Sequence, residues 1–282
     1  MKKKSELVEK HPWTLPWYKA DGQSKWVLVY LIVLHALVIT GLILFPLPGW
    51  KVFLAAFILA CFGALGTTLG YHRNLAHRAV KLHPVVEQFL IFCAVFNGSG
   101  SPTTWIANHR NHHANSDTEE DVSSPRHGGF WWAHLRWLYQ WEPSSIKKWA
   151  PDINRTHYLI WAKLQTPLIV ASLGFGYFLF GWAGLFWLGA IRMAWCLHLQ
   201  SAVNSVLHLQ PGLLMGVDSS RNIWWLGPLQ LTAWGENWHG NHHKYPGSAC
   251  FSRHWWQVDF AWYVIKALEK LGLATDVRIQ KS

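Results

Sequence analysis

The stretch WVLVYLIVLHALVITGLILF, residues 26–45, runs its whole length without a Lys, Arg, Asp or Glu. A helix crossing the roughly 30 Å hydrocarbon layer of a bilayer needs about 20 apolar residues, so this run has the length of one span. Val52–Tyr71, VFLAAFILACFGALGTTLGY, repeats the pattern, again without a charge. Two further runs, Tyr158–Phe180 and Trp182–Asn204, are apolar apart from Lys163 and Arg192. Core helices of a soluble domain would be the alternative for this second pair, but their length favours a membrane. Four transmembrane helices are therefore expected, at about 26–45, 52–71, 158–180 and 182–204.

The opening MKKKSELVEK looks like the charged start of a secretory signal. The run behind it is too long for a signal core, has no small-residue cleavage site, and meets a second run at once, so it reads as an anchor. The connections Pro46–Lys51 and around Gly181 are short, which predicts two helical hairpins. Residues 1–25, 72–157 and 205–282 must then share one side of the membrane. They hold nearly all of the Lys and Arg, while the opposite loops offer only Lys51. By the positive-inside rule that side is cytoplasmic. The expected fold is an all-α, multi-pass membrane protein. It has an N-terminal cytoplasmic segment (1–25), spans within 26–204 interrupted by a cap insert (72–157), and a C-terminal cap (205–282).

Of 282 residues, 51% are hydrophobic and 14% charged, and the net charge is +10. Anionic lipid head groups account for such a charge; nucleic-acid binding would want a basic stripe on a soluble face, and none is present. Among 21 tryptophans, the pairs Trp131-Trp132, Trp224-Trp225 and Trp255-Trp256 fall outside the spans. They suit the head-group layer of membrane lipids, or equally packing within the cap. Cys61, Cys93, Cys196 and Cys250 are scattered with no CxxC, so neither a zinc knuckle nor a disulfide framework is indicated.

Eight of the 17 histidines fall in three clusters: HRNLAH (His72, His77), HRNHH (His109, His112, His113) and HGNHH (His239, His242, His243). All three lie on the expected cytoplasmic side. On a helix, positions i, i+3 and i+4 share a face, so each HxxHH box can aim three imidazoles into one volume. The i, i+5 spacing of the first box turns its rings apart on a regular helix; the two serve different metals, or the helix is distorted. Imidazoles alone suit iron, copper, nickel or zinc, whereas magnesium and calcium want oxygen. Near the end of the fourth run, NSVLH puts Asn204 and His208 at i and i+4. Polar residues in a span are costly and mark function; a helix–helix hydrogen bond is the structural alternative for Asn204. His11, His35, His83, His127, His134, His157, His198 and His254 read as structural or surface residues.

At these residues the sequence resembles the membrane-bound fatty acyl desaturases, specifically the stearoyl-CoA and cyanobacterial delta-9 type. The matching stretches are GYHRNLAHRAVK, WIANHRNHH, GGFWWAHLRWL, NSVLH and GENWHGNHHKYP, between about the second span and residue 260. The resemblance implies two irons per chain held by His72, His77, His109, His112, His113, His208, His239, His242 and His243. It implies that Asn204 holds one iron through a water, and that Trp105 lies beside the bend of a substrate tunnel, for which core packing is the plain alternative. It departs at Asp121-Val122-Ser123, where the family commonly has Asp-Pro-His, and at Ala107-Asn108, where animal acyl-CoA enzymes carry Arg-Asp. The implied reaction removes two hydrogens from adjacent methylenes of an acyl chain on a glycerolipid or on CoA, leaving a cis, delta-9 double bond. O2 is reduced to water with two electrons from a separate donor, of the ferredoxin or cytochrome b5 type. A bacterial inner membrane is the expected location. The rival readings are a hydroxylase on the same scaffold and a membrane metal transporter, which would want its ligands inside the spans.

Overall fold

The computed structural model describes residues 11–20, 24–210, 216–226 and 234–280. MKKKSELVEK and residues 21–23 of the N-terminal segment lie outside the described residues, as do 211–215, 227–233 and 281–282 of the C-terminal one.

The described chain is mostly helical, and three of its helical stretches are long and apolar enough to cross a membrane: Lys25–Leu44, Trp50–Ala76 and Thr156–Ser205. The first is α1 (Ser24–Leu44). The second is α2 (Trp50–Leu65), which continues without a break into a wider, π-helical segment, Gly66–Ala76. After it come α3 (Pro84–Phe96), α4 (Pro102–Ala114) and α5 (Pro125–Trp131). The third long stretch opens as α6 (Thr156–Gly184) and runs through a π-helical Leu185–Ile191 into α7 (Arg192–Ser205).

That third stretch is not one straight rod. Phe180 leaves helical geometry and Gly181 takes φ 59°, ψ −147°, a left-handed backbone that glycine adopts without a Cβ clash. The chain doubles back there, and its arms touch: a Cβ on Gly184 would lie 2.0 Å from the Gly176 carbonyl oxygen, and one on Gly189 would lie 2.6 Å from the Leu173 side chain. The returning arm is the centre of the apolar bundle. Ala190, Met193 and Ala194 pack with Leu34 of α1, and Leu188 packs with Val52 and Ala56 of α2. Although α1 and α2 follow one another through a short turn, each packs chiefly on this arm. Only 17% of the most apolar window is buried in the first and third stretches, so large side chains such as Ile39, Ile43 and Phe178 form an uncovered apolar exterior.

The remaining elements hold the histidines. A fully buried cluster of Tyr71, Ile91 and Ile106 ties the end of the second stretch to α3 and α4, each of the two isoleucines contributing roughly 1.5–3 kcal/mol. Gly66 makes the approach possible, because a Cβ there would meet the Leu90 carbonyl oxygen at 2.4 Å. The C-terminal segment carries the short α8 (His239–Lys244) and then α9 (Phe260–Lys270). Two short strands, β1 (Lys81–Leu82) and β2 (Ala274–Thr275), pair antiparallel with Leu82 opposite Ala274, closing the C-terminus over the first box. This strand pair and an isolated antiparallel bridge between Asn222 and Trp238 depart from the all-α expectation.

Candidate metal centre

The first box owes its geometry to the π-helical segment. On an α-helix of 3.6 residues per turn, five residues turn a side chain through roughly 140° more than a full circle. Here the His77 N–H donates to the His72 carbonyl at 3.0 Å, the i to i+5 closure of a π-helix, whose wider turn brings such residues onto one face. The two rings lie 5.0 Å apart between centroids and join the same group. Of the two options the spacing left open, local distortion is the one adopted.

The second box begins where Ser101 caps α4, its hydroxyl accepting from the Thr104 N–H, with Pro102 in the first turn. Its three imidazoles do not share one volume. His109 and His113 join His72, His77 and His242, while His112 joins His208, His239 and His243; within each group the candidate ligand atoms all lie within 4.8 Å of one another. The third box is split in the same way, His242 facing one group and His239 and His243 the other. The expectation of one volume per box is thus corrected: the i+3 and i+4 rings diverge enough for α4 and α8 each to serve two adjacent groups.

The residues between the histidines anchor the boxes. Arg73 donates to both oxygens of Asp259, at 2.9 and 3.0 Å, with both side chains buried, and stacks over Phe251. Arg110 grips Asp152 and also donates to the carbonyls of Leu75 and Ala76, binding α4 to the end of the first box. Asn74, Asn111 and Asn241 each tie a neighbouring segment through their amides.

His208 follows α7, which ends at Ser205. Residues 206–208 form a turn, so Asn204 and His208 do not share one regular helical face. His208 is fully buried, whereas Asn204 is half-buried and makes no side-chain hydrogen bond among the described residues. Trp105 stacks on His109 at 4.8 Å and meets His72 edge-on at 5.9 Å. His35, His198, His134 and Ser205 form a separate hydrogen-bonded chain, and His83 caps α3.

Four carboxylates that the sequence reading passed over touch the outer nitrogens. His72 Nδ1 faces Glu236 at 2.9 Å, His112 Nδ1 faces Asp121 at 2.8 Å, His243 Nδ1 faces Asp218 at 2.8 Å, and His208 Nδ1 faces Asp117 at 3.4 Å. The acids after the second box, and Glu236 three residues before the third, were the available signal. Each carboxylate fixes the proton on Nδ1 and leaves a lone pair on Nε2.

This exposes the test of whether a metal fits. The Nε2 atoms of His112 and His243 face each other at 3.3 Å although both rings have committed their protons to carboxylates. With both rings neutral, two lone pairs so placed repel unless a metal ion or a shared proton lies between them. The other Nε2 pairs are equally close: His77–His109 at 2.8 Å, His72–His242 and His113–His242 at 2.9 Å, and His208–His239 at 3.0 Å. Metal–imidazole bonds of about 2.1 Å set neighbouring donors about 3 Å apart, so the spacing suits coordination. Burial, reinforced by neighbouring rings, holds His77, His109, His113, His239, His242 and His243 well below the usual imidazole range, leaving them neutral. Burial also pushes His112 down, but Asp121, helped by Asp117 and Asp218, outweighs it and raises this one. Burial raises Asp121 and Asp117, yet their histidine partners and hydrogen bonds leave both carboxyls below the usual range.

Clustered imidazoles with no thiolate, set beside apolar helices of membrane-crossing length, give the protein a histidine-rich group that could bind metal. The comparisons name its kind. The fatty acid desaturase family model matches residues 48–278, and the chain belongs to that family. It is 36% identical over 236 residues to delta-9 acyl-lipid desaturase 2 of Arabidopsis thaliana, covering 82% of this chain and 76% of that protein. It is 34% identical to the sn-1 stearoyl-lipid 9-desaturase of Anabaena variabilis, covering 77% and 80%. It is 35% identical to the icosanoyl-CoA 5-desaturase of Limnanthes douglasii, covering 95% and 75%. The protein is an oxygen-dependent fatty acid desaturase of a generally iron-dependent family.

Proposed function

We propose that the protein introduces a cis, delta-9 double bond into a saturated acyl chain at a centre of two irons. One is held by His72, His77, His109, His113 and His242, the other by His112, His208, His239 and His243, with Asn204 tethering a water. The observation that carries this is the pair of facing Nε2 lone pairs on His112 and His243.

Bound iron would supply the activation of O2 that unactivated methylenes require. The reaction balances as one O2, two electrons, two protons and two substrate hydrogens giving two waters. The chain's own contribution is placement. Neutral imidazoles hold the ions, the carboxylates hold the imidazoles, and Trp105, stacked on His109, forms the wall along which the acyl chain lies.

The carrier is proposed to be a membrane glycerolipid. Ala107 is fully buried, and the Asn108 amide oxygen accepts from the Ser144 N–H at 2.8 Å, so neither is free to clamp a CoA phosphate. Acyl-lipid enzymes stand among the relatives, as does an acyl-CoA one. The reversal at Gly181 supports four spans in two hairpins, with 1–25, 72–157 and 205–282 on the cytoplasmic side of a bacterial inner membrane. Exposed Trp224, Trp225 and Trp255 would meet lipid head groups. Electrons come from a separate ferredoxin- or cytochrome b5-type donor.

Expression in a host lacking desaturases, with labelled phospholipid and labelled acyl-CoA supplied separately to its membranes, tests this reading. A cis delta-9 chain on the lipid is expected. Hydroxylated product would overturn desaturation, and conversion of the CoA ester alone would overturn the carrier.

A further inference from the structure

We propose that the carboxylates on the outer nitrogens make the two metal positions unequal, the four-histidine position being the tighter and the one that favours the higher iron charge. This rests on the two-iron reading above. The carboxylates are shared out unevenly. In the four-histidine group, three of the four outer nitrogens face an acid: His112 faces Asp121, His243 faces Asp218, and His208 faces Asp117, with Asp218 also 3.9 Å from His208. In the five-histidine group, only His72 has such a partner, Glu236. No carboxylate reaches an outer nitrogen of His77, His109, His113, His239 or His242 among the described residues, and Nδ1 of both His239 and His242 is buried with no partner.

The acids are held in place by the protein rather than by the histidines. Asp117 accepts from the N–H and hydroxyl of Ser219, both at 2.7 Å, and from the Ser124 hydroxyl at 2.5 Å. It takes a left-handed backbone, φ 58°, which Asp tolerates better than most residues. Asp121 accepts from the backbone N–H groups of Asp117 and Ser123, at 2.9 and 3.0 Å. A carboxylate on the outer nitrogen makes an imidazole a stronger donor, and its negative charge lies one ring away from the metal. Three formal negative charges surround the position with four imidazoles, against one around the position with five. The acids therefore offset the missing histidine. They are positioning residues, acting through rings they orient.

The test uses the full-length protein in detergent micelles, stripped of metal and titrated with ferrous ion alone under anaerobic conditions. Two binding classes are expected. Asp121→Asn keeps one accepting oxygen for His112, removes the charge and turns the oxygen that accepts from the Ser123 N–H into a donor, and should weaken the tighter class about 10–100-fold; Asp218→Asn, at a half-exposed position, should act on the same class. Glu236→Gln should weaken the other class. With one equivalent of 57Fe, Mössbauer spectra of the wild type should show one species, and Asp121→Asn should shift iron to the second, a change that loosened packing would not produce. Two classes of equal affinity, or Asp121→Asn and Glu236→Gln acting on the same class, would overturn the proposal. Saturation of the wild type at one iron would instead overturn the two-iron reading.

Discussion

Asp259→Ala strands the most enclosed charge next to a proposed ligand. Arg73 is fully buried, and its two terminal nitrogens donate to both Asp259 oxygens, to the Ala249 carbonyl at 2.9 Å and to the Trp234 carbonyl at 3.3 Å, while its Nε is buried with no partner. Removing the acid leaves a cation in a site that cannot hydrate it, which costs about 3–5 kcal/mol. The same carboxylate caps α9 through the Trp262 N–H, a contact worth about 1 kcal/mol. At roughly 2–4 °C per kcal/mol for a chain of this order of size, the melting temperature should fall by on the order of 10 °C. Thermal unfolding in micelles, followed by tryptophan fluorescence, reads this directly. Asp259→Asn should fall less, because it can still cap α9. Arg73→Met combined with Asp259→Asn should recover part of the loss, since no charge is left unpaired. An Asp259→Ala protein melting within about 2 °C of wild type would show that Arg73 finds water, and the buried-pair argument would fail.

Gly184→Ala puts a Cβ 2.0 Å from the Gly176 carbonyl oxygen, so it should force the arms of the doubled helix apart and cut the yield of folded protein several-fold; a chromatographic profile matching wild type would contradict the close packing. His→Ala at any of the nine proposed ligands should lower bound iron, whereas His254→Ala should leave iron content and turnover close to wild type. Asn204→Ala should keep most of the iron yet lose desaturation strongly, and normal turnover per folded enzyme would end its assignment. Burial raises the Asp152 carboxyl, but hydrogen bonds from Arg110 and Arg78 bring it down to about 2, against an ordinary 3.8. Because the folded value is the lower one, its contribution is full above about pH 4 and disappears as pH falls toward 2. Asp152→Asn should therefore flatten the dependence of melting temperature on pH between about 4 and 2.

What the sequence made legible depended on distance along the chain. Trp26–Phe45 announces a membrane-length helix because bilayer thickness sets one scale, and Gly181 stands out because a glycine between two apolar runs is where a helix can reverse. The histidine boxes were equally visible, since eight of the 17 histidines fall into three short stretches. Geometry transverse to the chain was not. An i, i+5 pair looks mismatched until the backbone from Gly66, where it packs closely on α3, widens into a π-helix. How His112 parts from His113 depends on α8 arriving from more than a hundred residues away. Asn204 and His208 read as one helical face, yet α7 stops at Ser205 and a turn takes over. Asp117, Asp121 and Glu236 were in view beside the boxes, whereas Asp218 lies 21 residues before the third, and which imidazole each one meets is fixed only by the folded cap.

The most direct test of the central claim is to measure iron per folded chain and acyl product on one purified preparation supplied with O2, reductant and a donor protein. Two irons per chain, with a cis double bond formed only when both positions are filled, are predicted. Full desaturation with a single iron, or with iron retained after His112 and His243 are both replaced by alanine, would contradict it.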